Sequence, residues 1–204
     1  MRVKLLLRTA AVFLGAGAAS IALWRGLLAE DPHALEKGDF GAVGAFSLAE
    51  RGGRPLSLED LKGNVWVADF IFTRCGGPCP RLTKAMGRLQ ESFPPASPIR
   101  FVSFSVDPLH DTPAVLAEYA ARFGADPSRW FFLTGETSVV HNLILDSFKL
   151  AVRENKGPSR RPGEEVTHSL HFVLVGKDGR IRGYFTATDD KALDRLRRRA
   201  AELL

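Results

Sequence analysis

The chain contains very little cysteine, since Cys75 and Cys79 are the only two among its 204 residues. So low a count excludes a scaffold held together by several disulfides. With 45% hydrophobic residues, the chain has enough apolar sequence to fill the core of one domain without them. The presence of only two cysteines also excludes a metal site built from cysteine alone, because a third ligand must come from another residue type. No internal repeat is visible.

Acidic residues are absent from the first 28 positions, which carry four basic ones: Arg2, Lys4, Arg8 and Arg25. These four account for +4 of the formal net charge of +5, and the remainder of the chain holds 24 basic and 23 acidic residues. The excess of positive charge is therefore a feature of the N-terminus. This distribution argues against a phosphate-binding surface and hence against a nucleic-acid partner.

No uncharged stretch reaches the roughly 20 residues of a full membrane span, but residues 9–24 come close. These sixteen uncharged positions lie between Arg8 and Arg25, whose side chains can snorkel to the membrane interfaces. We predict a single-pass anchor over residues 1–28 in the inner (cytoplasmic) membrane, a tether over 29–44, and a periplasmic domain over 45–204. The small residues at 15–20 could instead form a cleavage site, so the alternative is a removable signal peptide and a secreted protein.

The order of hydrophobic segments predicts an α/β fold of the thioredoxin-like type, a mixed sheet flanked by helices. Residues 64–72 form a nearly continuous apolar run, typical of a buried central strand. Strands and helices alternate after it, and a hairpin over 171–185 and a final helix close the chain. A glycine-turn hairpin over 46–56 extends the fold at its N-terminus. Residues 153–165 are predicted to form a long exposed loop.

The two cysteines lie where the apolar strand gives way to a helix whose first residue is predicted to be Pro80. This places Cys79 at the helix cap and Cys75 just outside it, where the helix dipole should lower the pKa of a thiol. Three residues separate the thiols, so both sulfurs have room to bind one ion or to form a disulfide. Three roles are open for the pair: a structural disulfide, which would stabilise the fold by about 2 kcal/mol, a redox pair, or a metal site. We favour copper or zinc, which soft thiolates prefer.

A third ligand is expected to be a histidine, and the chain has five: His33, His110, His141, His168 and His171. His33 lies in the tether and His141 in an apolar helical pattern, where roles other than ligation are expected. His110 follows a strand and is a weaker candidate. We predict His168, because a residue between a long loop and a strand can swing to and from a metal. His171 should point to the other face of that strand.

Two acidic residues are candidates for supporting roles around the thiols. Asp69 is a carboxyl inside the apolar strand and shares a face with Val67 and Ile71 if the strand is regular. Burial there would raise its pKa, so that it handles protons for the thiols or supports a ligand, or it is a hydrogen-bonded structural acid. Asp107 is predicted to be a turn residue or a group that supports a ligand.

Together these features resemble the SCO/SenC family of copper-delivery proteins. The resemblance lies in the cysteine motif and in four other segments: 67–80, 103–108, 111–113, 130–135 and 166–169. It implies a thioredoxin fold in which Cys75, Cys79 and His168 bind copper, as Cu(I), Cu(II) or both. It also implies that the protein supplies copper to, or reduces the cysteines of, the dinuclear copper site in the copper-bearing subunit of cytochrome c oxidase.

A copper chaperone of this kind is a binding protein rather than an enzyme, and its other expected partners are further copper chaperones or thiol reductants. The alternative function is an exported thiol–disulfide oxidoreductase that uses Cys75 and Cys79 without a metal. A thiol peroxidase is a weaker third hypothesis, because the arginine and threonine setting of a peroxidatic cysteine cannot be placed in this sequence.

Overall fold

The apolar segments of the sequence form the strands of a central sheet in the computed structural model, which describes residues 34–155 and 161–204. In these ranges nine strands form: β1 Ser47–Glu50, β2 Pro55–Ser57, β3 Trp66–Ile71, β4 Arg100–Ser105, β5 Trp130–Thr134, β6 Val152–Glu154, β7 Val166–His168, β8 His171–Val175 and β9 Ile181–Thr186. Seven make one sheet in the order β2-β1-β5-β4-β3-β8-β9, and β6 pairs with β7 separately. The predicted mixed sheet and both predicted hairpins, β1–β2 and β8–β9, are confirmed.

The pairing of β3 decides which loops meet at the edge of the sheet. This strand pairs in parallel with β4 and antiparallel with β8, with Trp66 opposite Val175 and Ala68 opposite Val173. In an antiparallel pair, the C-terminal end of one strand lies beside the N-terminal end of the other. The loop that follows β3, with both cysteines, is therefore brought beside the residues that precede β8.

Both faces of β3 are buried, as its continuous apolar run predicts. Trp66 and Phe70 pack into one hydrophobic core together with Phe148. Val67 and Ile71 point the other way and join a second core. The sheet is thus a partition between two apolar layers, and a residue of β3 faces one layer or the other according to its parity.

The described part of the chain has five α-helices: α1 Leu58–Leu61, α2 Cys79–Glu91, α3 Pro113–Arg122, α4 Thr137–Asn142 and α5 Asp190–Leu203. A 3-10 turn over Ala34–Glu36 comes first, and a π-helical segment over Leu143–Ser147 continues α4. Apolar residues of α2, α3 and α5 build the core on the Val67 face, while α1 and α4 contribute to the other core. The predicted flanking helices are therefore present on both faces.

Residues 38–43, within the predicted tether, run along the outer edge of the sheet. The amides of Gly38 and Phe40 donate to the carbonyls of Arg182 and Ile181 in β9. Gly183 allows this close approach, because a Cβ there would lie only 2.6 Å from the carbonyl oxygen of Glu36. The predicted anchor at 1–28 lies outside the described residues. Among the helices that are described, none has the length and apolar character to cross a bilayer.

The predicted exposed loop over 153–165 is wrong at both of its ends. Its first residues and the segment that follows it pair as β6 and β7, and the Asn155 side-chain amide donates to the Glu164 carbonyl at 2.6 Å. Glu165 is buried. The two strands are three residues long, too short to give a clear alternating pattern. We call residues 152–155 and 161–168 the β6–β7 hairpin; residues 156–160 lie outside the described ranges.

Replacement of Gly183 by alanine should loosen the N-terminal segment. The new Cβ would lie 2.6 Å from the Glu36 carbonyl oxygen and 2.8 Å from the Phe185 ring. Because the first of these is a backbone atom, residues 36–40 must move away from β9. We expect a lower urea midpoint and faster proteolytic cleavage near residue 38. The control is Gly87→Ala in α2, where the added Cβ has ordinary contacts and alanine favours the helix by about 1 kcal/mol. Equal midpoints for the two variants would contradict this account.

Candidate metal centre

The cysteine loop, residues 72–79, connects β3 to α2 and places both thiols at the same end of the sheet. Its first turn is closed by the Cys75 amide, which donates to the Phe72 carbonyl at 3.3 Å. Cys79 is the first residue of α2, with Pro78 at the cap, one position earlier than the sequence predicts. Both cysteines are unpaired thiols. Cys79 is fully buried, whereas Cys75 keeps 7% of its surface exposed.

The environment of the two thiols makes them unequal. A hydrogen bond from the Cys79 thiol, followed by weaker ones from the amides of Cys79 and Gly77, lowers the pKa of Cys75 to about 6, against the opposing effect of burial. The pKa of Cys79 is strongly raised, because it donates to Cys75 and is buried. The lowered pKa expected at the helix start therefore falls on Cys75 alone. At neutral pH the pair carries one negative charge, on the more exposed sulfur.

His168 lies directly against the buried thiol. Its Nε2 is 3.3 Å from the Cys79 sulfur, and its Nδ1 is 3.0 Å from the Ser169 carbonyl oxygen. Because a carbonyl can only accept, Nδ1 carries a proton in this arrangement and the neutral ring presents a free lone pair at Nε2. Burial lowers the pKa of His168 and so favours the neutral form. Phe72 packs edge-on against the ring, with centroids 5.8 Å apart.

The other described histidines have different surroundings. His171 Nδ1 is 2.8 Å from the Ser169 hydroxyl, and His141 Nε2 is 3.0 Å from the Val106 carbonyl oxygen. His110 lies exposed in the turn after β4. His33 lies outside the described residues. Of the five candidates, the structure places only His168, among those it describes, in contact with a cysteine.

The donors are close but do not yet form a closed metal site. In the part of the chain that the structure describes, no three His, Cys, Asp or Glu side chains converge tightly enough to hold a metal ion as they stand. Instead, Cys79 has one proton and two acceptors for it, the Cys75 sulfur and His168 Nε2. One proton can satisfy only one of them fully. Two sulfurs and an imidazole nitrogen are the ligand types that a soft cation prefers, so the donor set fits copper in its chemistry.

Asp69, predicted as a supporting residue, is fully buried in β3 on the face of Val67 and Ile71. Neither of its carboxylate oxygens has a hydrogen-bond partner within the described residues. Burial raises its pKa to about 7, and nearby Ser103 offsets only part of that effect. Its negative charge contributes to the raised pKa of Cys79. Asp69 therefore influences Cys79 through its charge, and no hydrogen bond among the described residues joins it to either thiol.

Asp107, the second predicted acid, pairs with Arg74, which immediately precedes Cys75. Its Oδ2 accepts a hydrogen bond from Arg74 Nε at 2.6 Å, and Arg74 Nη1 also lies 3.7 Å from Glu165 Oε1 in the β6–β7 hairpin. Asp107 thus holds the cysteine loop in place through its ion pair with Arg74. Sequence reasoning missed Arg74 and Glu165, although the charged residue beside a reactive cysteine was an available signal for the first of them.

Asp111 is a further residue that sequence reasoning did not single out as functional. This buried carboxylate accepts hydrogen bonds from the Thr73 amide, the Thr73 hydroxyl at 2.5 Å and the Ser105 hydroxyl at 2.6 Å. It therefore joins the start of the cysteine loop to the end of β4. Asp111 lies in one of the segments that carry the family resemblance, and that was the available signal.

An open groove gives solvent access to the candidate site. Its volume is about 450 Å³, and its lining includes Phe72, Cys75, Pro78, Val166 and His168. Cys79 does not line it. A partner that enters this groove therefore meets Cys75 and the imidazole first, and reaches Cys79 only through them.

Comparison with known proteins identifies the relatives of this arrangement. Residues 35–201 match the model of the SCO1/SenC family. The chain belongs to the SCO1/SenC family. It is 37% identical over 154 residues to the SCO1 protein homolog of Bacillus subtilis (strain 168), a match that covers 74% of this chain and 77% of that protein.

Two other relatives are described by an assembly role or by a metal. The solved structure of BsSco, a protein with a disulfide switch and a member of the Sco family of cytochrome c oxidase assembly proteins, is 35% identical with a TM-score of 0.70, covering 82% of this chain and 96% of that one. A protein of Stutzerimonas stutzeri, provisionally named a copper-binding protein, is 29% identical over 82% of this chain and 80% of its own length. The mixed sheet with flanking helices thus matches a Sco structure.

The unequal thiols predict a pH profile. Because only a thiolate is alkylated readily, iodoacetamide should modify Cys75 of the reduced chain with a rate that rises through a midpoint near pH 6, while Cys79 stays protected. In Cys79→Ala the midpoint should move up, since the donor to the Cys75 sulfur is lost. Mass spectrometry of each site gives the rates. A midpoint near pH 9 for the unmodified chain would disprove this asymmetry.

Asp69 predicts a second pH effect, on stability. Its pKa of about 7 in the folded state exceeds the ordinary 3.8, so the folded chain binds this proton more tightly and loses stability as pH rises from about 4 to 7. Asp69→Asn should therefore raise the unfolding free energy by about 2–4 kcal/mol at pH 8 and change it little near pH 4. Urea unfolding of the reduced chain at both pH values measures this.

Asp60→Asn is the control of opposite sign. Hydrogen bonds from Ser57 lower the pKa of this exposed carboxyl, so its stabilising effect is present above pH 4 and lost as pH falls further. The Asp60→Asn variant should therefore have a lower free energy of unfolding than the parent at pH 8. If Asp69→Asn also has a lower free energy of unfolding than the parent at pH 8, the Asp69 carboxylate has a stabilising partner and does not destabilise the fold when it ionises.

Proposed function

We propose that this protein is a membrane-tethered copper chaperone that carries copper on Cys75, Cys79 and His168. The observation that supports it best is the single Cys79 proton facing two acceptors, the Cys75 sulfur and the free lone pair of His168. Two thiolates and an imidazole suit Cu(I) in a trigonal arrangement, and a water or carboxylate oxygen could complete a Cu(II) site. Binding of copper would release the Cys79 proton.

Delivery follows from the accessibility of the three donors. Cys75 and His168 face the groove while Cys79 is buried behind them. An incoming thiolate can replace His168 or Cys75 on the ion while Cys79 still holds it, so that copper passes from one protein to the other without release into water. The recipient we propose is the copper-bearing subunit of cytochrome c oxidase, in line with the membership of BsSco in a family of cytochrome c oxidase assembly proteins.

The location proposed for the protein rests on the N-terminal sequence. Residues 1–28 would anchor it in the inner membrane, residues 29–44 would connect the anchor to the domain, and the domain over 45–204 would face the periplasm. An oxidising compartment would tend to convert the dithiol to a disulfide. A thiol reductant, in addition to a copper donor, is therefore a further partner of this proposal.

A second candidate function, reduction of a partner disulfide, is favoured by the lowered pKa of Cys75. Its thiolate would attack one sulfur of the partner, form a mixed disulfide and release the other partner sulfur as a thiolate. Cys79, on losing its proton, would then attack Cys75, form the Cys75–Cys79 disulfide and release the partner as a dithiol. The two electrons come from the Cys75–Cys79 dithiol, which an external thiol must restore.

The test of the copper proposal is a titration of the reduced full chain with Cu(I) under competition from a chromophoric chelator. We expect one copper per chain, loss of that copper in Cys75→Ala and in Cys79→Ala, and about tenfold or greater weakening in His168→Ala, since loss of a group that only orients a ligand already weakens metal binding by about tenfold. His110→Ala, which removes an exposed histidine with no described hydrogen bond to either thiol, is the matched control and should titrate like the parent.

Retention of stoichiometric copper by all three ligand variants would overturn the site. If the reduced chain binds no copper yet reduces a disulfide-bonded peptide at a rate insensitive to His168→Ala, the second candidate replaces the first. Copper binding that depends on the cysteines but not on His168 would restrict the proposal to a two-thiolate site and refute the role of the imidazole.

A further inference from the structure

The β6–β7 hairpin, which carries His168, contacts the cysteine loop at three separate points. One is the contact between His168 and Cys79 described above. The second is the ion pair between Arg74 and Glu165. The third is a backbone contact at Gly163. All three contacts involve residues 163–168 of the hairpin. The hairpin and the cysteine loop are therefore held together by residues other than the candidate ligands as well as by the ligands.

Arg74 is the residue that connects the two segments electrostatically. Its guanidinium lies between Asp107 and Glu165, whose side chains keep only 9% and 7% of their surface exposed, while Arg74 itself is 40% exposed. Two buried carboxylates in this position repel each other unless a cation lies between them. The arginine therefore stabilises both, and it can do so only while the hairpin stays against the cysteine loop.

Gly163 shows how tightly the hairpin and the loop are packed. A Cβ at this position would lie 2.5 Å from the Gly76 amide nitrogen and 3.3 Å from the Arg74 carbonyl oxygen. The residue also has φ +90°, a conformation that favours glycine. Its amide donates to Glu165 Oε1 at 3.2 Å, so the same carboxylate that receives Arg74 also orders the hairpin turn.

We propose that the Arg74–Glu165 ion pair is a latch that keeps His168 at the thiols and so limits how fast copper leaves. Arg74 is covalently next to Cys75, and Glu165 is three residues before His168. With the Cys79–His168 contact, the ion pair closes a ring that joins both ligand-bearing segments. When it is broken, the hairpin keeps two of these three contacts with the cysteine loop, at His168 and at Gly163. This inference rests on the proposed copper function and makes Arg74 and Glu165 positioning residues for it.

The direction of the effect separates a latch from a simple charge effect. Glu165 is a negative charge near the Cys75 thiolate and acts against it. Its neutralisation alone would stabilise the thiolate, strengthen copper binding and slow release. Loss of a latch acts the other way and speeds release. Glu165→Gln is the appropriate change, because glutamine keeps an oxygen that can accept from the Gly163 amide.

The experiment measures Cu(I) release from the reduced, copper-loaded full chain to excess bathocuproine disulfonate by stopped flow. We expect Glu165→Gln to release copper about five-fold faster than the parent, the factor that corresponds to loss of a partly buried ion pair. In an Arg74→Gln background, the same Glu165→Gln change should no longer speed release, since the pair is already broken and only the charge effect, which slows release, remains. Glu164→Gln, the neighbouring exposed glutamate, is the matched control and should release copper like the parent.

An unchanged or slower release from Glu165→Gln, or equal acceleration with and without Arg74, would overturn the latch. A chain that binds no copper at all would instead refute the proposed function, and a copper-free measurement then decides the latch by itself. Hydrogen–deuterium exchange of the β6–β7 hairpin amides in the reduced apo chain should be faster in Glu165→Gln than in Glu164→Gln. Equal exchange in those two variants would likewise overturn the latch.

Discussion

The antiparallel pairing of β3 with β8 is the constraint on which the candidate site depends. Trp66, Val67 and Ala68 lie opposite Val175, Leu174 and Val173, and continuing this register beyond the last pair brings the residues after β3 level with those before β8. The chain then supplies thiols from one side and an imidazole from the other, although 89 residues separate Cys79 from His168. A shift in this register would turn the side chains to opposite faces and separate the donors.

Charge balance at this edge of the sheet explains why the site suits a cation. A second negative charge on Cys79 is strongly opposed by its hydrogen bond to Cys75 and by burial, with smaller contributions from the negative charges of Cys75 and of the buried Asp69. A bound cation offsets that cost directly, whereas a proton offsets it at Cys79 alone. By contrast, the carboxylate of Asp111 accepts three hydrogen bonds. Asp69 therefore influences the pKa of Cys79, whereas Asp111 stabilises the conformation of the cysteine loop.

Local sequence patterns were sufficient for much of the fold. The continuous apolar run of β3, the glycine turn between β1 and β2, and the cap residues Thr112 and Asp189 each specify structure through interactions within a few residues. The choice of His168 over His171 rested on alternation along one strand, and that reason was wrong, because His168 ends β7 and His171 begins β8. The β6–β7 hairpin escaped prediction because its strands are short and its contacts are with the cysteine loop, which lies about 90 positions earlier in the chain.

By itself the sequence determined which chemical groups are available: two cysteines at a strand–helix junction, one histidine shortly before a strand and one acid inside an apolar strand. Residue type and local spacing fix these features, so they can be recognised without coordinates. Only the tertiary structure decided which thiol holds the charge, which ring nitrogen faces the sulfur, and that Arg74 joins Asp107 to Glu165. Those outcomes depend on burial and on contacts between distant segments, and neither has a signature in local sequence.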